Sequence, residues 1–325
     1  MDKYNILVTG TGSLIGQAII KSLIRSGIAD KINIIGCDYF KNTVGSLWCD
    51  KNYVLPDLLD DSLINEWKNA IIDIIKKENI RVLFVGVDFE LGFFAEMKAQ
   101  IEQCYQCTVI VSDKKVIDIG NDKYETYLFL KKNGINAPKT ILLDEANEDD
   151  IEFPVVIKPR VGARSRGVYF IKNIEEYKKT SAQCIGQGYI VQKAIGNVKT
   201  EYSCGILYLD GKFVNSIVLK RSLKEGNTSF AEYNNNEEKE VVEYIREIGD
   251  ALQPLGSCNL QLRMGEDGKP YLFEINPRFS GTTYMRALFG YNEVEFIVRK
   301  VLGLELCDMK PRAGRAYRYF EERLI

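Results

Sequence analysis

The chain has 325 residues, with 43 Lys and Arg against 45 Asp and Glu and no histidine, for a formal charge of −2. That length supports two or three compact units with a large core, while the near-neutral balance excludes a general nucleic-acid binder, which needs a basic excess to displace counterions. The missing histidine excludes Ser-His-Asp and Cys-His catalysis and His-ligated metals, so a divalent cation here would have to be held by oxygen, which favours Mg²⁺ or Mn²⁺.

Hydrophobic residues make up 46% of the chain. No apolar run approaches the ~20 residues of a membrane span, and the N-terminus lacks a signal-peptide pattern. The expectation is a cytoplasmic protein without a membrane partner. Of its eight cysteines only Cys104 and Cys107 form a CxxC pair, which cannot complete a zinc site alone, so reduced thiols are expected.

Residues 1–112 alternate strand and helix. Ile6 to Val8 is a short apolar run, followed by the glycine-rich turn Gly10-Thr11-Gly12-Ser13-Leu14-Ile15-Gly16 and a helix to about Ser26. A second strand runs from Ile32 to Gly36 and ends in Asp38. Leu63, Ile64, Trp67, Ala70, Ile71, Ile74 and Ile75 recur at helical spacing, with Asp61 or Ser62 as cap. Arg81 to Val87 predicts a third strand, Glu90 to Gln103 a helix, and Thr108 to Val111 a fourth strand. This alternation means a doubly wound parallel sheet. The glycine-rich turn, with Asp38 beyond it, also fits a dinucleotide-binding turn, so an NAD(P)-dependent oxidoreductase is the alternative reading.

From residue 113 the pattern changes. Asn121 is expected to cap a helix over Asp122–Asn133, with Lys123 in its first turn, where the helix dipole disfavours a cation unless it reaches for an anion. Phe153 to Ile157 and Val168 to Ile171 predict two strands around a loop that carries Lys158, Arg160, Gly162, Arg164, Ser165, Arg166 and Gly167. Glycine-freed backbone N–H groups and cations make a phosphate cradle. The spacing is not that of a Walker A loop, because Val168 stands where lysine is required. A solvated basic hairpin tip is the plainer alternative.

Tyr189 to Ile195 predicts another strand, then Glu201 leads to a hairpin tipped by Asp210-Gly211. Its outgoing strand, Val214 to Leu219, ends in Lys220-Arg221 and a polar loop from Lys224 to Ser229. A helix follows from about Glu237 to Leu252. Residues 256–283, GSCNLQLRMGEDGKPYLFEINPRFSGTT, read as a hairpin closing about Asp267-Gly268. Alternation places Asn259, Gln261 and Arg263 on one face, and Leu272, Glu274 and Asn276 together with Phe273 and Ile275 opposed. Symmetric closure sets Gln261 opposite Glu274 and Asn259 opposite Asn276, close enough to converge on one cation. A polar outer face on a two-layer sheet is the alternative. A helix from about Glu293 to Leu302 and a strand near Arg315 to Phe320 end the chain. This half reads as α+β and mostly antiparallel.

Taken in order, the lysine in Asp122-Lys123, the loop KPRVGARSRGV, the strand ending Gln192-Lys193-Ala194-Ile195, Glu201, Asn259-x-Gln261-x-Arg263 and Glu274-x-Asn276-Pro277-Arg278 resemble the ATP-grasp superfamily. The match is closest to the carbamoyl-phosphate-synthetase-like and amino-acid-ligase branches and covers essentially the whole chain. The resemblance implies a pre-ATP-grasp domain over residues 1–112, a small lid subdomain over 113–188 and a large subdomain with the metal site over 189–325. It implies that Lys123 and Lys158 touch ATP phosphates and that Gly162, Arg164, Ser165 and Gly167 belong to the lid. Gln192, Lys193, Ala194 and Ile195 would line the adenine hinge, with Glu201 on the ribose. Gln261, Glu274 and Asn276 would hold Mg²⁺ or Mn²⁺, and Arg278, with Lys158, would stabilise the transferring phosphoryl group. Lys220, Arg221, Gly226, Thr228 and Gly281 are weaker candidates for substrate contacts. The implied activity is an ADP-forming ligase that activates a small-molecule carboxylate as an acyl phosphate for attack by an amine, with homodimerisation allowed. A nucleotide-binding relative without catalysis is the remaining alternative.

Overall fold

In chain order the elements are β1 (Tyr4–Thr9), α1 (Leu14–Ile24), β2 (Ile32–Asp38), β3 (Lys51–Val54), α2 (Ile64–Lys77), β4 (Ile80–Phe84), α3 (Leu91–Tyr105), β5 (Thr108–Ile110), α4 (Lys114–Asn121), α5 (Lys123–Lys132), β6 (Thr140–Leu142), β7 (Val155–Pro159), β8 (Tyr169–Ile171), α6 (Ile174–Cys184), β9 (Tyr189–Lys193), β10 (Glu201–Leu209), β11 (Lys212–Lys224), β12 (Asn227–Tyr233), α7 (Lys239–Leu252), β13 (Gly256–Met264), β14 (Pro270–Asn276), α8 (Thr283–Phe289), α9 (Glu293–Val301) and β15 (Gly314–Tyr317). They come from a computed structural model that describes residues 3–162, 166–224, 226–235, 239–319 and 321–322.

The strands form three sheets. The first is parallel, in the order β3-β2-β1-β4-β5. Its central strands are apolar on both faces, as helices on each side require. Ile6, Val8, Phe84 and Ile19 of α1 pack on one side, and Leu7, Leu83, Trp67 and Ile71 of α2 and Phe94 of α3 on the other. Five strands replace the four expected from the sequence. β3 has a mostly exposed, polar pattern that only pairing with β2 makes a strand. The cap of the second helical segment is also corrected: Asp60 accepts from Ser62 N at the start of a one-turn 3₁₀ helix that runs into α2.

The second sheet is β6-β9-β7-β8 and packs α6 on a small core of Val155, Ile157, Ile171, Tyr177 and Val191. β9 pairs with β7 and β6, so residues 189–193 belong to this sheet and not to the one that follows. The third sheet is β14-β13-β10-β11-β12-β15 and wholly antiparallel. One face shares the core of α1, α8 and α9; the other is covered by α4, α5 and α7 through Val116, Leu130, Val241, Ile245 and Ile248. α4 and α5 are two helices where one was expected. Asn121 closes the first, and Asp122 is the cap of the second, accepting from Tyr124 N and Glu125 N. The expected polar loop 224–229 contains instead the start of β12, and β11 extends to Lys224.

Candidate functional site

The hairpin β13–β14 has the expected register, Gln261 opposite Glu274 and Asn259 opposite Asn276. A bulge next to Gln261 then shifts the pairing, so that Leu262 faces Leu272 and Arg263 faces Tyr271. Two residues oppose one at a bulge, and the side chains beyond it change face. Leu272 therefore enters the core beside Leu260 and Leu262, and Phe273 turns into the cleft with Glu274, the reverse of their expected faces. Phe273 becomes the platform of the site: Lys158 Nζ and the Arg263 guanidinium stand 5.7 and 5.6 Å from its ring centre.

Two connected cavities meet along this hairpin. The smaller, about 210 Å³, lies between the second and third sheets and is lined by Lys123, Lys158, Gly162, Arg166, Gln192 to Ile195, Glu201, Gln261, Phe273 and Glu274. The larger, about 760 Å³, opens between the first and third sheets. Glu274, Gln261, Lys123, Gly162 and Arg221 border both.

Lys158 is 6% exposed, with its ammonium 2.8 Å from Gln192 Oε1, while Gln192 Nε2 donates to Thr140 Oγ1 at 2.9 Å. Burial, then the Lys123 charge, pulls its pKa down to about 7, against the pull of Glu274 upward. Lys123 donates to Gly162 O at 3.0 Å, and burial lowers its pKa too, with Glu274 opposing. Its helix end is fastened to the loop by Arg160, whose Nη2 lies 2.6 Å from Asp122 Oδ2. Lys123 and Lys158 therefore repel one another across the cavity, a repulsion that an anion between them would relieve.

Four expected roles, at the ribose, the metal, the hinge and the phosphoryl group, meet groups already engaged. Glu201, 7% exposed, accepts from Arg221 Nη2 at 2.9 Å and Arg263 Nη2 at 2.8 Å. Gln261 Oε1 accepts from Arg221 Nη2 at 2.6 Å. Ala194 N donates to Pro154 O at 3.1 Å, so its carbonyl is the backbone group left for a hinge contact. Lys193 reaches Glu152 O and Phe153 O at the rim. Arg278 Nε donates to Asp88 Oδ1 at 2.6 Å and its Nη2 to Asn276 Oδ1 at 2.9 Å. Asn276 Nδ2 is buried without a partner.

Among the weaker candidates, Arg221, Gly226, Thr228 and Gly281 line the larger cavity. Lys220 does not. It precedes Arg221 on the same strand, so alternation turns it to the opposite face, where its ammonium lies 5.5 Å from the Tyr202 ring centre. Gly167 stands outside the cavity lining with φ +68°, its Cα face against Tyr189 Oη. Arg164 and Ser165 lie outside the described residues. Asp88 and Arg318 face the larger cavity and were not read from the sequence; no local pattern marks either.

The glycine-rich turn also borders the larger cavity, through Ser13, Leu14 and Ile15. Asp38 completes it from within: its oxygens accept from Gly12 N at 2.8 Å and Phe40 N at 2.9 Å. Thr43 bonds Thr11, and a Cβ on Gly45 would stand 2.0 Å from Thr11 O. A ribose on Asp38 would have to displace those bonds. None of the eight cysteines is in a disulfide, and burial pushes the Cys107 thiol up to about 12. Among the described residues no helix is long and apolar enough to cross a membrane.

Residues 190–322 match a family model described as "ATP-grasp in the biosynthetic pathway with Ter operon". An uncharacterized protein of Mycoplasma pneumoniae, the MG011 homolog, is 32% identical over 127 residues, 39% of this chain and 42% of that protein. The chain thus matches less than half the length of that relative. A D-alanine–D-alanine ligase of Petrotoga mobilis is 26% identical over 246 residues, 69% of this chain and 75% of the ligase. The ADP complex of PurK, an N5-carboxyaminoimidazole ribonucleotide synthetase, superposes with a TM-score of 0.74 at 13% identity, over 96% of this chain and 80% of that one.

Proposed function

We propose that this chain, like the ATP-grasp ligases it resembles, activates a small-molecule carboxylate as an acyl phosphate, which an amine then attacks with release of phosphate. The observation that carries this reading is Glu274. It is a carboxylate at the junction of the two cavities, and Lys123 and Lys158 are the cations felt from its side. The smaller cavity would take the nucleotide, with its phosphates on the two lysines and its base along residues 192–195. The larger would take the acid and the amine.

A metal fits this donor set in one way. Among the described residues no group of three or more His, Cys, Asp or Glu side chains could hold an ion by itself. One carboxylate, Glu274, with the amide oxygens of Gln261 and Asn276 once these give up their bonds from Arg221 and Arg278, would suit Mg²⁺ or Mn²⁺ that arrives with a polyphosphate and takes its other ligands from it. When bound, such an ion supplies charge neutralisation at the phosphoryl oxygens.

The chain's own residues do the rest. Lys123 and Lys158, held by Gly162 O and Gln192 Oε1, meet charge on the transferring group without reorganising in the reaction. Arg278 must exchange Asp88 for the acyl-phosphate oxygens, an exchange that a solvent-exposed partner permits at low cost. The Lys158–Val168 loop would cover the nucleotide and keep out water that hydrolyses an acyl phosphate. An assay of ADP release across carboxylic acids, with and without amines and with hydroxylamine as trap, tests this. Acid-dependent ADP release and a hydroxamate are expected; no turnover with any acid would reject the ligase.

A further inference from the structure

The side chains suited to a metal stand on a patch two rows deep. Ser203, Gln261 and Glu274 are direct partners across β10, β13 and β14, and Gly205, Asn259 and Asn276 are partners in the next row of the same face. Ser203, Asn259, Gln261, Glu274 and Asn276 all line the larger cavity. Gly205 does not, because Arg286 of α8 covers it. A Cβ on Gly205 would stand 2.5 Å from Arg286 Nη1 and 2.6 Å from its Cζ, so the guanidinium lies on bare backbone.

Arg286 and Glu293, the first residue of α9, are both fully buried. Arg286 Nη1 lies 3.1 Å from Glu293 Oε1, and its Nη2 donates to Asn259 Oδ1 at 2.6 Å. A buried ion pair is in general no more stabilising than apolar side chains of the same volume. This one also leaves Arg286 Nε and Glu293 Oε2 without hydrogen-bond partners among the described residues. What the arginine adds, and an apolar residue could not, is its grip on Asn259.

That grip orients an amide. Ser203 Oγ donates to the same Asn259 Oδ1 at 2.9 Å, so two donors use both lone pairs of that oxygen and fix which end of the amide faces them. The oxygen that hairpin symmetry sets beside the metal donors is therefore already engaged. Nδ2 is the group left over. It has no acceptor among the described residues and, unlike Asn276 Nδ2, it is not enclosed by protein atoms, although Asn259 as a whole is 2% exposed.

We infer that Arg286, anchored by Glu293, is a positioning residue: it clamps the Asn259 oxygen, which keeps Asn259 out of the metal's donor set and presents its N–H₂ to the larger cavity as a donor to an oxygen of the bound acid. The identity of that acceptor as the acid rests on the ligase reading; the clamp does not.

Asn259→Asp separates holding from donating, because a carboxylate still accepts from Arg286 and Ser203 but has no N–H to offer. Melting is measured for this substitution in wild type and in two backgrounds. Arg286→Met with Glu293→Gln removes both buried charges together, and Gly205→Ala pushes the guanidinium aside. In wild type Asn259→Asp should leave the Tm within about 2 °C or raise it; in either background, where the new carboxylate lacks its cation, it should lower the Tm by roughly 5 °C or more. Equal changes in wild type and both backgrounds overturn the clamp. In the ADP-release assay Asn259→Asp should lose about 10²-fold in kcat, as for removal of one preorganised donor, with the Tm shift produced by Mg-ADP retained. An unchanged kcat overturns the donor role, and so does a lost or much enlarged Mg-ADP shift, since the side chain would then be acting at the metal. If no acid elicits ADP release, the ligase reading falls, while the melting measurements still decide the clamp.

Discussion

The turn Gly10–Gly16 and the loop from Lys158 to Val168 both leave a strand and both carry glycines among small or cationic residues, but their surroundings differ. In the first, glycine excludes a side chain because the backbone is too close: a Cβ on Gly16 would stand 2.2 Å from Gly10 O, and one on Gly86 2.0 Å from Thr9 O. Helix α1 is pressed onto β1 and β4, and Asp38, Thr43 and Gly45 fill the space above. In the second, a Cβ on Gly162 would meet nothing nearer than Pro159 Cβ at 3.8 Å, and Gly162, Arg166 and Val168 line a cavity shared with Lys123 and Lys158. A glycine-rich sequence thus serves close packing in one place and open backbone in the other, and only the neighbours tell which.

Substitutions on each side sharpen this contrast. The largest loss should follow Glu274→Ala, about a thousandfold in ADP formation, since phosphoryl charge is no longer neutralised, with the Tm nearly unchanged. Near-normal turnover would remove Glu274 from the site. Arg278→Ala should cost about 10²–10³ in kcat, as for loss of one preorganised charge donor; an unaltered kcat would leave Arg278 with only its structural contacts to Asp88, Asn276 and Phe279 O. Gly16→Ala should act on stability, by about 1–3 kcal/mol in denaturant unfolding, with activity per folded molecule retained. Gly162→Ala should do the opposite, raising KM for ATP while moving the unfolding midpoint less than Gly16→Ala. The reverse ranking would merge the two loops into one class.

A subtler effect concerns pH. Lys158 is held near 7, below an ordinary lysine, by burial first. Above pH 7 the folded state has lost a proton that the unfolded chain keeps until about 10.4, so this group makes stability rise with pH across that window. A bound polyphosphate reverses the shift, so nucleotide binding takes up a proton and affinity should fall by up to about tenfold per pH unit between 7 and 9. Titration of Mg-ADP at several pH values should give that slope in wild type and a flatter line in Lys158→Arg, which stays charged throughout. Equal slopes would separate Lys158 from the phosphates. The smallest change is expected for Ser13→Ala, about 1 kcal/mol of stability from the lost α1 cap.

What could be read in advance was short-range. The alternation in residues 256–276 and the Asp267-Gly268 turn set Gln261 opposite Glu274, because a tight turn and a period of two leave a hairpin one register. The strand–helix alternation of residues 1–112 announced a parallel sheet, and the helical stripe of Val241, Tyr244, Ile245 and Ile248 announced α7. Even locally some features stayed hidden: Asp122 outcompeted Asn121 as cap, and nothing in the alternation marks the bulge between β13 and β14 that exchanges Leu272 and Phe273.

The tertiary structure decided the rest. Glu201 is gripped by Arg221 and Arg263, which come from two other strands of one sheet, and no spacing in the chain announces that triangle. β3 is a strand only because β2 pairs with it. Asp88 meets Arg278, and Arg318 meets Gly281 and the end of α1, across separations at which periodicity carries no information. Side-chain periods of 2 and 3.6 specify the face of an element; which element lies opposite is set by burying all those faces at once.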